Sequence, residues 1–344
     1  MNSKAGEPFG SKSQADPKPP VPRIVYSPRY NIGFFGFERL HPFDSRKYGR
    51  AWQQLRRRFG RELDRFWVKP SGPVSRAELL QLHTPGYLER LRDPKFVARV
   101  LEVPPVRRLP GWVTDRCVLR PMRWATMGTV IAAREAMDHG LAVNLSGGYH
   151  HASPDHGHGF STYADVGLAV HTLRQSGRLG EKDKVVYVDL DAHQGNGVCR
   201  TFADDSRVFI YDQYNEDIFP MDVRAQRRID CAVPIPFGCG EADYLAALRG
   251  RLPVFLNSVT RGGDVRLAIY NAGTDVYAGD RLGGMNVSAA GVLERDRFVL
   301  QELMQRRIPT AVVLSGGYSA ESYRLVADMA AYVLETWGRC VARC

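Results

Sequence analysis

One pattern recurs through the chain: a short run of Val, Ile, Leu and Ala that stops at a cluster of glycine and polar residues. Leu141–Leu145 runs into Ser146-Gly147-Gly148-Tyr149-His150-His151, and Val185–Val188 into Asp189-Leu190-Asp191-Ala192-His193. Leu267–Tyr270 runs into Asn271-Ala272-Gly273-Thr274-Asp275, and Ala311–Leu314 into Ser315-Gly316-Gly317-Tyr318. Short branched-aliphatic runs of this kind read as parallel strands buried on both faces. Open α/β sheets bind ligands beyond the carboxyl ends of such strands. Two adjacent histidines, an Asp-x-His pair, a further aspartate and a tyrosine should therefore meet in one crevice.

The segments between the runs supply the helices. Ile24–Tyr26 reads as a first strand, and Tyr48–Phe59 and Ala77–Leu82 carry helical apolar spacing. Pro104-Pro105 and Pro110 mark a rigid loop, after which Arg123–Asp138 reads as a long helix ending at Gly140. Strands then alternate with helices: strand 141–145, helix 163–176, strand 185–190, a short helix at 197–203, and strand 208–211. Helix 241–257, strand 266–271, helix 291–305, strand 310–314 and helix 320–337 complete the series. The alternation predicts a single-domain α/β fold over residues 23–344, a parallel sheet with helices on both faces and right-handed crossovers. Residues 1–22 are rich in Lys, Ser, Gly and Pro and lack an apolar stretch, so they read as a disordered tail and not a signal peptide.

With 44% hydrophobic and 24% charged residues the chain has the balance of a soluble globular protein, and no apolar run is long enough to span a bilayer. The six cysteines (117, 199, 231, 239, 340, 344) form no Cys-x-x-Cys pair, which argues against a disulfide framework or a cysteine zinc site. A reducing cytoplasm is the natural compartment, or the nucleus in a eukaryotic cell. The net charge of +10 attracts anions at long range. Its densest clusters, Arg56-Arg57-Arg58 and Arg306-Arg307, fall on helix-like stretches and read as solvated faces. No nucleic-acid motif accompanies them, so specific nucleic-acid binding is not expected. Nothing in the sequence fixes an oligomeric state.

Asp191 and His193 lie two apart at a strand end, so their side chains leave the same face. Carboxylate and imidazole together suit a divalent first-row metal. Asp275, at a neighbouring strand end, adds a third ligand, and three protein ligands leave a coordination position open, as in catalytic zinc sites. Alone, Asp275 would read as a turn or cap residue. His150 and His151 follow a glycine turn and can act as general base and general acid. Asp189 shares the parity of Asp191 and can orient one imidazole, and Asn196 can hold the other. Tyr318 would by itself be a packing residue. Beside the other clusters, its hydroxyl becomes a donor to the oxyanion of a tetrahedral intermediate. The sum points to metal-dependent hydrolysis.

In these residues the chain resembles the zinc-dependent histone deacetylases, which have the arginase-like α/β fold. The resemblance lies in Gly-Gly-Tyr-His-His-Ala (147–152), Gly-Phe (159–160) and Asp-Leu-Asp-Ala-His-Gln-Gly-Asn-Gly (189–197). It continues through Asn-Ala-Gly-Thr-Asp (271–275), Gly-Asp-Arg-Leu-Gly (279–283) and Ser-Gly-Gly-Tyr (315–318). It is strongest toward class IV, through Ile-Val-Tyr-Ser-Pro-Arg-Tyr-Asn-Ile (24–32), His-Pro-Phe-Asp (41–44), Glu-Val-Pro-Pro-Val (102–106) and the asparagine at 196.

The resemblance implies zinc on Asp191, His193 and Asp275, with His150 and His151 as the paired histidines. Asp189 would support His150, and Tyr318 would polarise the acyl carbonyl together with the metal. An amide at Asn196 lends an imidazolium less charge support than the aspartate of most branches. Gly159, Phe160 and Leu282 match positions lining an acyl-lysine channel. A structural K+ or Na+ ion is implied near backbone oxygens of Asp189, Asp191 and His193, with Asp212 close by. The implied activity is removal of an acyl group, acetyl or long-chain fatty acyl, from lysine in a peptide or protein substrate. An acylpolyamine amidohydrolase would share the same catalytic residues, and an inactive acyl-lysine-binding scaffold is a reading from another class. A ureohydrolase needs further carboxylates where this chain has Asn271 and Thr274.

Overall fold

Among the described residues, eight strands form one sheet in which every hydrogen-bonded neighbour is parallel. The computed structural model describes residues 19–33, 44, 46–180 and 182–338; most of the expected tail, His41-Pro42-Phe43, Cys340 and Cys344 lie outside them. The strands are β1 (Arg23–Val25), β2 (Trp67–Val68), β3 (Leu141–Asn144), β4 (Lys184–Asp189), β5 (Val208–Asn215), β6 (Cys231–Ile235), β7 (Val265–Asn271) and β8 (Thr310–Val313). Their order across the sheet is β2-β1-β3-β8-β7-β4-β5-β6.

The strands at the centre are buried on both faces, and alternate residues feed two separate cores. Val186 and Val188 of β4, Ala268 and Tyr270 of β7 and Val312 of β8 enter one. Val185, Tyr187, Leu267, Ile269, Ala311 and Val313 enter the other. The first core is covered by α1 (Lys47–Phe59) and by three late helices. The second is covered by α2 (Arg76–Leu79), α3 (Pro85–Arg90), α4 (Pro94–Val100), α6 (Arg120–His139) and α7 (Asp165–Gln175), with the short α5 (Gly111–Thr114) between α4 and α6 in the chain. Two short helices, α8 (Asn196–Thr201) and α9 (Val223–Gln226), follow β4 and β5. The late helices are α10 (Glu241–Thr260), α11 (Ala289–Gln305) and α12 (Ser322–Val333). This is the expected α/β arrangement.

Two strands and several turns of helix depart from the sequence reading. β2 is only two residues long, too short to show a period, and β6 carries Pro234, which cannot donate to a ladder and is tolerated here because β6 is an edge. The segment read as a rigid proline loop forms a 3-10 turn over Pro104–Arg108 followed by α5. Arg306 and Arg307 fall just past the end of α11 rather than within it.

Register makes the sheet useful. Asp189 of β4 lies level with Asp212 of β5 and Asn271 of β7, and Asn271 lies level with Val313 of β8. The residues following β3, β4, β7 and β8 therefore leave the sheet together at one edge.

Candidate active site

The turn after β3 is made by Gly147 and Gly148, both at φ 77°, a left-handed conformation that favours glycine. A Cβ on Gly147 would sit 2.2 Å from Thr129 Oγ1 and 2.7 Å from Asp165 Oδ2, so the approach also demands glycine. Asp165, the first residue of α7, accepts from the Gly148 amide (2.8 Å), the Tyr149 amide (2.9 Å) and Thr129 Oγ1 (2.6 Å). That carboxylate, which the sequence reading did not single out, fixes the turn and aims His150 and His151 across the edge of the sheet.

The two histidines have different partners. His150 Nδ1 is 2.9 Å from Asp189 Oδ2, and its Nε2 is 3.6 Å from Asp191 Oδ1. His151 Nδ1 donates to Asn196 Oδ1 at 2.9 Å, which leaves its Nε2 as a lone pair. The rings lie 4.0 Å apart. Burial works against a charge on either ring. For His150 the carboxylates of Asp189 and Asp191 outweigh it and raise the ring to about 9. For His151 burial is reinforced by His150 and His193 and holds the ring well below 6.5. Asp189 is itself held by the Tyr187 hydroxyl (2.8 Å) and by Asn271 Nδ2 (2.8 Å).

Asp191, His193 and Asp275 come together as expected. One ligand atom from each lies within 4.8 Å of the others, and all three side chains are buried. Backbone amides hold both carboxylates. Asp191 Oδ2 accepts from the Gly316 amide at 2.6 Å and from Ser315 Oγ, and Asp275 Oδ1 accepts from the Ala192 amide at 2.8 Å. Asp191 Oδ1, which also accepts the His193 amide at 2.9 Å, and Asp275 Oδ2 face His193 Nδ1, at 3.1 and 2.9 Å. Three such atoms repel unless a proton or a cation sits among them. Burial and the Asp191 charge push Asp275 up to about 7. One imidazole nitrogen and two carboxylate oxygens suit zinc, so the residues fit a divalent ion.

Arg295 of α11, absent from the sequence reading, is fully buried behind this cluster. Its Nη1 donates to the carbonyls of Leu190 (3.0 Å) and Gly273 (2.6 Å), tying the end of β4 to the end of β7. Asp212 lies beside Asp189. Its Oδ2 accepts from the Gly195 amide at 2.9 Å, while its Oδ1 is buried without a hydrogen-bond partner, an arrangement that fits a cation. Burial, and then the charge of Asp189, raise Asp212 well above the usual carboxylate range.

Tyr318 joins the group, its ring 6.0 Å from that of His193 and 5.7 Å from that of Phe160. Burial, then the charges of Asp191 and Asp275, raise its hydroxyl well above 10, so it stays a donor. Gly159 and Phe160 both adopt positive φ, 48° and 62°. Phe219 completes this wall: its ring is 5.1 Å from His151 and stacks on His158 at 4.7 Å. Nothing in its sequence context, a loop Phe-Pro after β5, had marked it. Leu282 is 37% exposed, on a surface loop whose Leu282 amide donates to Asp280 Oδ1 at 2.9 Å.

This sheet, with its buried Asp-His-Asp group and paired histidines, belongs to a known class of hydrolase: the chain is a member of the histone deacetylase domain family, whose model matches residues 41–334. Histone deacetylase 2 of Arabidopsis thaliana is 40% identical over 305 residues, covering 89% of this chain and 76% of that protein. Histone deacetylase 8 of Xenopus laevis is 28% identical over 206 residues, 56% of this chain and 59% of that protein. The crystal structure of the HDA15 HD domain superposes with a TM-score of 0.70 at 19% identity, covering 92% of this chain and 89% of that one. Members of the family are hydrolases and are generally zinc-dependent. Among the described residues no helix is long and apolar enough to cross a membrane.

Proposed function

We propose that residues 23–344 form one catalytic domain, a zinc-dependent lysine deacylase of the class IV type. The observation that carries the reading is the convergence of four strand ends: His150 on Asp189, His151 on Asn196, the Asp191–His193–Asp275 group, and Tyr318 beside His193. The chemistry zinc supplies when held by Asp191, His193 and Asp275 is Lewis-acid polarisation of the acyl carbonyl and a lowered pKa for water. Tyr318 donates its hydroxyl proton as a hydrogen bond to the oxyanion as the carbonyl becomes tetrahedral. His151, neutral and with Nε2 open, takes the proton of the attacking water. As the C–N bond breaks, the histidine pair returns a proton to the departing amine, leaving lysine and a carboxylate. Gly159, Phe160 and Leu282, joined by Phe219, bound the path of the acyl-lysine. A structural K+ or Na+ ion is assigned to the oxygens of Asp189, Asp191 and His193, with Asp212 as its neighbour. The compartment is the cytoplasm, or the nucleus if the cell is eukaryotic.

We assign long-chain acyl-lysine as the preferred substrate. Each methylene buried in an apolar tunnel adds about 0.8 kcal/mol, and a tenfold preference needs only ~1.4 kcal/mol. The test is a series of lysine peptides of one sequence, acylated from acetyl to myristoyl, run beside acylated polyamines and with Tyr318→Phe as control. kcat/KM for the decanoyl or myristoyl peptide should exceed that for acetyl by at least about tenfold. Tyr318→Phe should lose roughly two or more orders of magnitude in turnover while keeping zinc and substrate binding. Efficiency falling steadily beyond acetyl removes the long-chain assignment alone. Preference for polyamines removes lysine. No turnover of any amide leaves an acyl-lysine-binding scaffold.

A further inference from the structure

Lys47, the first residue of α1, is wholly buried (0% exposed) and its ammonium faces the loop that ends in Tyr318. Nζ donates to the carbonyls of Ser315 (2.8 Å), Gly316 (3.0 Å) and Gly317 (3.4 Å). From the other direction Asp280 Oδ2 accepts the amide of Tyr318 at 2.6 Å. The other oxygen of Asp280 accepts the amides of Leu282 (2.9 Å) and Gly283 (3.3 Å). The two charges thus grip one turn by opposite poles of its peptide groups, a cation on three successive carbonyls and an anion on the next amide.

Burying an ammonium is expensive, and a methionine would fill much the same volume without that cost. The charge at Lys47 is therefore explained by what it holds. Ser315-Gly316-Gly317 has almost no side chain with which to anchor itself, and Gly317 lies at φ 134°, where an L side chain is strained. A loop of this composition needs fixing from outside. Its placement also matters at both ends: the Gly316 amide holds Asp191 Oδ2, and Tyr318 stands over His193.

We propose that Lys47 and Asp280 are positioning residues that set the height and direction of Tyr318 over the Asp191–His193–Asp275 group. The inference rests on the reading that Tyr318 donates to the acyl carbonyl, and it adds that this donor is aimed by a buried ion on each side of its loop. The effect of Lys47 on the reaction then passes through Tyr318, which a merely structural lysine would not do.

The experiment is a double-mutant cycle on the zinc-loaded full chain with an acyl-lysine peptide, comparing Lys47→Met, Tyr318→Phe and the two combined. Lys47→Met should lower kcat by about tenfold to a hundredfold, the usual scale for supporting residues, with KM within about twofold. In the Tyr318→Phe background the same substitution should cost less than about threefold, because the aimed group is already gone. Full multiplication of the two losses overturns the inference, as does a Lys47→Met enzyme with wild-type kcat. If Lys47→Met does not fold, Asp280→Asn and Asp280→Ala decide. Asparagine keeps one of the two acceptor oxygens and should lose less of kcat than alanine, which should lose about tenfold. Equal, near-normal rates in both refute the proposal. A Tyr318→Phe enzyme with normal turnover removes the underlying reading and the inference with it. A disabled Tyr318→Phe beside a normal Lys47→Met removes the inference alone.

Discussion

Replacing Gly316 by alanine tests the metal group with a single methyl. A Cβ at this position would lie 2.1 Å from Asp275 Oδ2 and 2.5 Å from Asp191 Oδ2. Real Cβ contacts do not fall below 3.0 Å, so the Asp275 oxygen must retreat by about 0.9 Å and the Asp191 oxygen by about 0.5 Å. Neither is a flexible tip: both carboxylates are fully buried and held by backbone amides. Ligand distances in a metal site tolerate roughly ±0.2 Å, so the displacement exceeds the tolerance several times over. Zinc affinity of Gly316→Ala should fall by at least about tenfold and activity with it, at a stability cost on the order of 1–3 kcal/mol from overpacking. The assay is competition for zinc against a fluorescent chelator, paired with thermal melting of the metal-free protein. Gly86→Ala is the control, since a Cβ there meets nothing within 4 Å. A Gly316→Ala protein that binds zinc as tightly as the parent would refute the assignment of Asp191 and Asp275 as its ligands.

Three further outcomes are expected. Elemental analysis should find one zinc per chain in the parent and a large loss in Asp275→Asn, whereas two tightly held manganese ions would mean ureohydrolase chemistry. Hydroxamates, which chelate zinc at an open position, should inhibit the parent. His83 is buried, with Nε2 accepting from the Ala164 amide (3.1 Å) and Nδ1 facing the Pro154 carbonyl (3.1 Å), and burial lowers its pKa from 6.5 to about 4. The unfolded chain therefore binds the extra proton first. The stabilising effect is complete above pH 6.5 and is lost as pH falls toward about 4, by on the order of 3 kcal/mol, so urea midpoints of His83→Gln should lack that slope.

The convergence of the candidate site residues at one sheet edge was legible because each chemical cluster sits where an apolar run meets glycine. Parity placed Asp189 and Asp191 on one side of a strand, and a parallel sheet brought the strand ends together. What stayed hidden follows physical rules of its own. Helices α3 and α4 are announced by Thr84-Pro85 and Asp93-Pro94, where the side chain caps an amide and the proline takes the first helical position, yet they are too short to show an apolar period. Asp165, Asp280, Lys47 and Arg295 act on backbone atoms of distant segments, up to 270 residues away for Lys47. A residue that recognises a carbonyl or an amide leaves no complementary letter in the sequence. Phe219 was invisible for a related reason, since only the fold brings its ring to His151.

Arg295 shows how strongly the site depends on such unseen partners. Carboxyl ends of parallel strands present carbonyls, and the crevice adds buried carboxylates, so the region would lack donors unless other elements supplied them. Arg295 reaches in from α11 with its guanidinium shared between the Leu190 and Gly273 carbonyls and Asp296 Oδ1, which lies 3.0 Å from Nε and 2.8 Å from Nη2. Asp296 also accepts from the Tyr270 hydroxyl at 2.5 Å. Leu190 and Gly273 immediately precede or closely approach the proposed ligands Asp191 and Asp275, so one guanidinium ties together the segments that carry the two carboxylates. Arg295→Met strands the buried Asp296 charge and both carbonyls and should cost about 3–5 kcal/mol of stability. Adding Asp296→Asn removes the stranded charge and should recover a substantial part of that loss, while zinc affinity, which depends on the missing link between β4 and β7, should stay depressed. Arg295→Lys should not restore zinc binding, because a single ammonium cannot reach both carbonyls and the carboxylate as the planar fork does. Urea unfolding and zinc competition on the three proteins decide the matter. A cost below about 1 kcal/mol for Arg295→Met, on the scale of an exposed pair, would mean the guanidinium is not what binds these strand ends together.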